Sequence, residues 1–473
     1  MIYSHMSVIH YNGLAGTGLL YGFYMMVFLK IIEERKMLAK KNLKIFLVFL
    51  LVFLLLLVTA CGSGETISGS DIGGPEISGS DIGEFDDNLF RKGLLVAEDE
   101  GKWGYIDVTG EMVISPQFDV AYDFYENGLA VVAVDNKWGY IDEKGKMVIN
   151  PQFVYISSFS KNGLTKFQLG DKWGYIDKTG DIVINPQFDD AYDFYESPLA
   201  GVLLDDKWGY IDKTGQMVVS PQFDNAYDFS ENGFAMVKLD EKWGYINESG
   251  KMVISPQFDD ASFFRENGLA GVELDGKWGY IDKTGNMVIG PEFDFVWDFN
   301  ENGLAAVTKD DKWGYIDETG NVIIGLQFDG VSFFSENGLA VIKLGDKYGC
   351  IDESGDMVIN PKYDYINGFF ANGLSMALLS GKWGYLDETG KMVISPQFDD
   401  TSNFSKNGLA AVKIDDKWGY IDETGKMIIS PQFDDVDGFY DDGYAVVKSD
   451  NKFGIINGNG EYIINPKYDA LGL

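Results

Sequence analysis

Three observations predict an all-β repeat protein. A large aromatic residue recurs every 35 residues without slippage, at Trp103, Trp138, Trp173, Trp208, Trp243, Trp278, Trp313, Tyr348, Trp383, Trp418 and Phe453. Each stands in a Lys-Trp-Gly-Tyr-Ile-Asp block or a close variant, whose alternation is that of a strand. Turn residues punctuate the unit so often that no helix of ordinary length fits. A fixed period of this size marks small units that must stack to bury a common core. A residue present eleven times is expected to hold the unit together, so the eleven aromatics are read as structural.

The unit follows from its residues in order, with the aromatic taken as position zero. Lys102-Trp103-Gly104-Tyr105-Ile106-Asp107 predicts a strand with Trp and Tyr on one face and Ile on the other. Asp-x-x-Gly, as at Asp142 to Gly145, predicts a tight hairpin in which Asp bonds back to the backbone and Gly is left-handed. Met-Val-Ile then returns, and Pro at +13 is expected to stop that strand by removing a backbone donor. Gln-Phe-Asp, an irregular stretch and Asn127-Gly128 lead to a third strand such as Leu129 to Val134. The expectation is three short antiparallel strands per unit.

These blocks resemble the WG repeat, also called the KWG repeat, over roughly residues 92 to 470. The resemblance implies a tandem β array and no particular activity, since the family is defined by its repeat alone. Propeller blades usually number four to eight. An open, superhelical, solenoid-like array of eleven units is therefore the expectation, with one or two β-propellers as the alternative. The repeat domain is placed at 85–473.

The amino end reads as a targeting segment. Ile45 to Val58 is an unbroken apolar run of fourteen residues behind Lys40, Lys41 and Lys44, short of the ~20 residues of a membrane span. Val58-Thr59-Ala60-Cys61 resembles a bacterial lipobox, which implies lipidation of Cys61 and an outward-facing, membrane-anchored lipoprotein. Residues 37–60 are read as the signal peptide and 1–36 as an extension from a mis-assigned start, with an extra transmembrane helix as the alternative. Residues 61–84, with Ile-Ser-Gly-Ser-Asp-Ile-Gly twice, read as a flexible tether of about 26 Å reach.

Composition filters the chemistry. The net charge is −35, and the first sixty residues contribute six basic and two acidic groups, or +4, leaving −39 for the remainder. That disfavours nucleic acid and anionic surfaces, which need basic contacts. Both histidines, His5 and His10, precede Cys61, and Cys350 is the only cysteine after it. His-dependent triads and ordinary His or Cys zinc sites are thereby excluded from residues 62 to 473, and a buried, inert thiol is expected at Cys350. The periodic Asp residues are explained by turns and by pairing with the invariant Lys, which leaves little for calcium. No cofactor, metal or catalytic residue is expected.

Ligand contacts are expected where copies differ. Position +19 holds Tyr122, Ser157, Tyr192, Tyr227, Ser262, Trp297, Ser332, Asn367, Ser402 and Asp437. A site that accepts Ser, Asn and Asp reads as exposed, so Tyr122, Tyr192, Tyr227 and Trp297 are expected to present rings for sugar stacking or protein contact. Arg265 lies in the same region and could grip a carboxylate. The expected function is a non-catalytic binding or scaffold module for a protein or glycan outside the membrane, attached through its lipid alone. The alternative is a carboxylate hydrolase acting on wall polymer, which would need two acids roughly 5 to 9.5 Å apart.

Overall fold

The computed structural model describes residues 88–195, 197–230 and 232–472. The expected extension, signal segment, Cys61 and tether lie outside the described residues. Among those described, no helix is long and apolar enough to cross a membrane.

The described chain is all β, with eleven four-stranded antiparallel sheets. The first strands are β1 (Leu94–Asp99), β2 (Lys102–Asp107) and β3 (Met112–Phe118), followed by β4 (Val120–Ala121), β5 (Leu129–Val134), β6 (Lys137–Asp142) and β7 (Met147–Phe153). The sheet order β4-β5-β6-β7 defines one blade, and the pattern recurs to the end of the chain. Each blade thus has four strands and not the expected three. The extra strand has only two residues in most blades, too few for alternation to reveal.

The turns form as their residues require. Asp107 Oδ1 accepts the amides of Thr109 and Glu111, and Gly110 closes the turn at φ 78°. The hairpin between β5 and β6 has positive φ at both Asp135 and Asn136, the type I′ geometry that matches strand twist. Gly at +7 has a second duty, because a Cβ on Gly145 would lie 2.9 Å from Ile114 of the preceding blade.

Proline does not end its strand. β7 runs from Met147 through Pro151 to Phe153, pairing Ile149 with Tyr140 and Phe153 with Trp138. One strand advances four residues while its partner advances two, so the strand bulges and crosses over Gly139. A Cβ there would overlap the Ile149 carbonyl and the Pro151 nitrogen. The bulge explains both conserved-by-repetition features: Pro needs no donor where the ladder is broken, and only Gly admits the crossing chain.

The array closes on itself, which corrects the expected open solenoid. The last strand, β44 (Ala470–Leu471), pairs with β1 through Ala97 with Leu471 and Glu98 with Ala470, giving the sheet β3-β2-β1-β44. The first described blade thus takes three strands from β1 to β3 and its fourth from β44. The result is a ring of eleven blades, a β-propeller. Leu471 and Tyr468 from the end pack with Leu89, Phe90 and Leu95 from the start.

Two recurring contacts hold most of the seams. Lys102 pairs with Asp119, whose other oxygen accepts the Asp135 amide of the next blade at 2.6 Å. Lys452, Asp469 and the Glu100 amide repeat this clamp across the closure. Lys137 faces Val154 at the clamp position and lacks the carboxylate. Tyr105, fully buried, donates its hydroxyl to the Tyr122 carbonyl of the next blade at 2.7 Å. Where Cys350 replaces that Tyr, Ser375 donates instead to the matching carbonyl, that of Asn367, at 2.8 Å. Cys350 is buried as expected, and burial pushes its thiol up to about 12.

The repeated aromatics form the core. Trp103, Trp138, Trp208, Trp243 and Trp313 are buried, and the six other members of the series are half-buried. Phe at +21, from Phe124 to Phe439, packs against the buried Tyr rings, as in the 4.9 Å contact of Tyr105 with Phe124. Its repetition was visible in the sequence, though the irregular stretch around it hid its core role.

Candidate functional site

Repetition absorbs most polar side chains of the unit. The invariant Lys is engaged in seam clamps in ten blades, Asp or Asn at +4 caps its hairpin, and Tyr at +2 is spent on a hydrogen bond across the seam in nine. What remains for a ligand is the set of positions where blades differ, chiefly +19 and the residues around it.

The +19 side chains are not the freely exposed surface that their variability suggested. Tyr122, Tyr192, Tyr227 and Trp297 are half-buried between blades, each against the aromatic of its own blade. Tyr122 stacks on Trp138 at 6.0 Å, Tyr192 on Trp208 at 4.6 Å and Tyr227 on Trp243 at 5.4 Å, while Trp297 lies 5.2 Å from Trp313. Burial also raises the phenol of Tyr192 above its ordinary value. Small residues are tolerated there because another group covers the indole. In the blade of Ser157, Lys166 lies 5.3 Å above the Trp173 ring.

Arg265 is likewise engaged by the chain itself. Its Nε and Nη2 donate to Asp298 Oδ2 of the next blade at 2.8 and 2.6 Å. Asp298 stands at +20, where Asp193 similarly meets Lys166 at 3.5 Å. These are ion pairs across blade seams. Arg265 holds a carboxylate as its chemistry suggested, but an internal one.

In one blade the covering group is missing. A cleft of about 210 Å³ opens beside Trp278, lined by Ser262, Gly271, Phe295, Val296, Trp297, Asp298 and Phe333. It lies where the blade of Trp278 meets that of Trp313. Trp297 and Phe333 form one wall, their rings 4.5 Å apart, and Phe295 meets Trp278 edge-on at 5.7 Å. Asp298, braced by Arg265, is the charged group of the lining. Of the five residues expected to bind ligand, the structure brings Trp297 and Arg265 to this cleft and leaves Tyr122, Tyr192 and Tyr227 at other seams.

The lining suits binding of a flat, mostly apolar group. It has four aromatic rings, one serine hydroxyl and one carboxylate. The Ser262 hydroxyl already accepts the Gly271 amide at 2.9 Å. Among the described residues, no group of three or more His, Cys, Asp or Glu side chains could hold a metal ion.

Comparisons with known proteins bear on the family. The family described as a WG containing repeat matches eleven consecutive segments, from 103–138 through 418–453 to 453–472. Among curated proteins, none matches the sequence. Among solved structures, a eukaryotic initiation factor aligns at TM-score 0.37 and 11% identity, covering 66% of this chain and 97% of its own. The extracellular domain of a one-component system from B. thetaiotaomicron aligns at 0.23 and 10%, covering 79% and 70%. PorZ, a surface component of the type-IX secretion system of Porphyromonas gingivalis, aligns at 0.23 and 8%, covering 73% and 58%. Scores of this size carry no argument about function. The repeat match spans the ring from its first tryptophan almost to its last residue, and the chain belongs to the WG repeat family.

Proposed function

We propose that this ring is a non-catalytic binding or scaffold module held outside a bacterial membrane by lipid on Cys61, with a protein or glycan as its ligand. The observation that carries the reading is the division of labour between positions. Residues that repeat are consumed by turns, clamps and core, while the aromatic cleft opens at the variable positions Ser262, Gly271 and Trp297. Aromatic surface presented by a rigid scaffold suits recognition. The acidic charge of the chain and the lack of histidine after Cys61 fit binding better than nucleic-acid contact or acid-base catalysis.

The test uses the full chain expressed in a bacterial host. Metabolic labelling with a palmitate analogue is expected to mark the protein and to be lost in Cys61→Ala. Purified protein is expected to co-sediment with cell wall or to retain a partner, and to release no soluble fragments from wall polymer. Equal labelling of both proteins would overturn the anchor, and turnover of wall polymer would overturn the non-catalytic reading.

A further inference from the structure

The cleft beside Trp278 has the shape of a side chain that another blade supplies for itself. In the blade of Trp208, Tyr192 at +19 lies over Gly201 at +28 and stacks on the indole at 4.6 Å with an interplanar angle of 12°. A Cβ on Gly201 would touch that ring at 2.7 Å and the Trp208 Cε3 at 3.6 Å. In the blade of Trp278 the same two positions are Ser262 and Gly271. The glycine meets its indole in the same way, with Trp278 Cε3 at 3.7 Å from a Cβ built there. The backbone frame is therefore shared and the ring is missing, while the Val296 side chain, which stands where the other blade has Ala226, comes within 3.2 Å of that Cβ and narrows the slot.

By sequence Ser262 with Gly271 is the smallest pair of its kind among the described residues, and Ser402 with Ala411 beside Trp418 is next, larger by one methyl group. The paired residues elsewhere include Tyr122 with Val131, Ser157 with Lys166, Tyr227 with Met236 and Ser332 with Val341. The cleft as a whole, of which this slot is one part, measures about 210 Å³, against about 150 Å³ for an engineered cavity that accepts benzene.

We infer that this slot binds a phenolic ring, stacked on Trp278 in the place that the Tyr192 ring takes on Trp208. The hydroxyl also has a partner in the frame. Tyr192 donates to the Ala226 carbonyl of the next blade at 3.3 Å, and the residue in that place beside the slot is Val296, part of its lining. Stacking on indole adds to what area burial of the ring supplies. Trp297 and Phe333 close the other side, and the Asp298 carboxylate, which already accepts from Arg265 through Oδ2 and from the Ser262 hydroxyl through Oδ1 at 3.4 Å, adds negative charge to the lining. The ring could belong to a small phenol or to a tyrosyl side chain of a partner polypeptide, since both carry the same group.

This inference deepens the binding reading and rests on it, but its test does not depend on the cell wall. The full-length chain is titrated with p-cresol, toluene and N-acetyl-tyrosinamide by ligand-observed NMR. An eight-heavy-atom ligand in such a slot is expected to bind p-cresol with a dissociation constant of about 1 mM or tighter. Toluene should bind several-fold more weakly because it lacks the hydroxyl. Binding of N-acetyl-tyrosinamide would assign the slot to a tyrosyl side chain, and binding of p-cresol alone to a free phenol. Ser262→Tyr, which copies the Tyr192 and Gly201 pair, should weaken p-cresol at least tenfold. Gly271→Val, which copies the Ser332 and Val341 pair, should do the same and serves if the first variant fails to fold. Absence of p-cresol binding by the parent chain, or equal binding by a folded variant with the slot filled, would overturn the inference. Wall or partner binding that survives such a result would leave the general binding reading standing, and the two failures are thus separable.

Discussion

Replacing Leu471 by Ala should loosen the ring at its closing seam and nowhere else. Leu471 is 8% exposed and packs with Leu89, Phe90 and Leu95 from the opposite end of the chain. Truncating a buried leucine costs about 2–5 kcal/mol. At this seam the two-residue strand pairs with β1, with Asp469 N–H to Glu98 O and Gly472 N–H to Val96 O, both 3.0 Å, beside the clamp of Lys452, Asp469 and the Glu100 amide. The lost contact acts on the opening of this seam, because it is made between the two strands that close the ring. A loss of 2 kcal/mol or more corresponds to at least about a thirtyfold rise in local opening. Hydrogen exchange read by mass spectrometry should show it in residues 94–99 and 470–472. Ile366→Ala is the control, since Ile366 occupies the same strand position and is 2% exposed, yet its strand is continued by chain on both sides. That variant should lose a similar amount of packing without exposing the 94–99 segment. Unchanged exchange over 94–99 in Leu471→Ala would refute closure through this strand.

Two further outcomes follow from the core and from a buried carboxyl. Trp208→Ala should cost about 3–5 kcal/mol in a denaturant melt. Trp208→Phe should cost much less, because Phe453 and Tyr348 fill the same position in other blades. Burial pushes the Asp123 carboxyl up to about 6, against the opposing pull of Arg91 and the Val96 amide. The folded pKa is raised, so the folded state binds the proton more tightly than the unfolded state between about pH 4 and 6, and stability falls as pH rises through that window. Asp123→Asn should therefore be more stable than the parent at pH 7.5, by an amount of order 3 kcal/mol, and nearly equal to it at pH 4. A variant less stable than the parent at both values would show that the charge on Asp123 is net favourable.

The sequence made the local chemistry legible and left the global shape open. Asp142 to Gly145 reads as a hairpin from side-chain chemistry alone, and the pairing of Lys102 with Asp119 follows from charge and period. Strand length hid the fourth strand, because Val120–Ala121 is too short for alternation to register. Pro116 was read by its missing donor, which is correct chemistry in the wrong place: the ladder is already broken by the bulge over Gly104. Closure depends on small rotations summed over eleven seams, which no single unit encodes. Its trace was the phase of the strands, since the first described blade opens with the strand of Leu94 and the two-residue strand that this blade needs comes last. At position +19, variability suggested exposure, but Tyr122, Tyr192 and Tyr227 are half-buried against indoles. The tolerance for Ser there reflects substitution by a neighbour such as Lys166, or the open slot beside Trp278.

Images of the full chain by cryo-electron microscopy, viewed along the ring axis, test the central claim most directly. Closure through Ala470–Leu471 requires a continuous ring of eleven blades with no gap between the first and the last. An arc or superhelix with separated ends would contradict it.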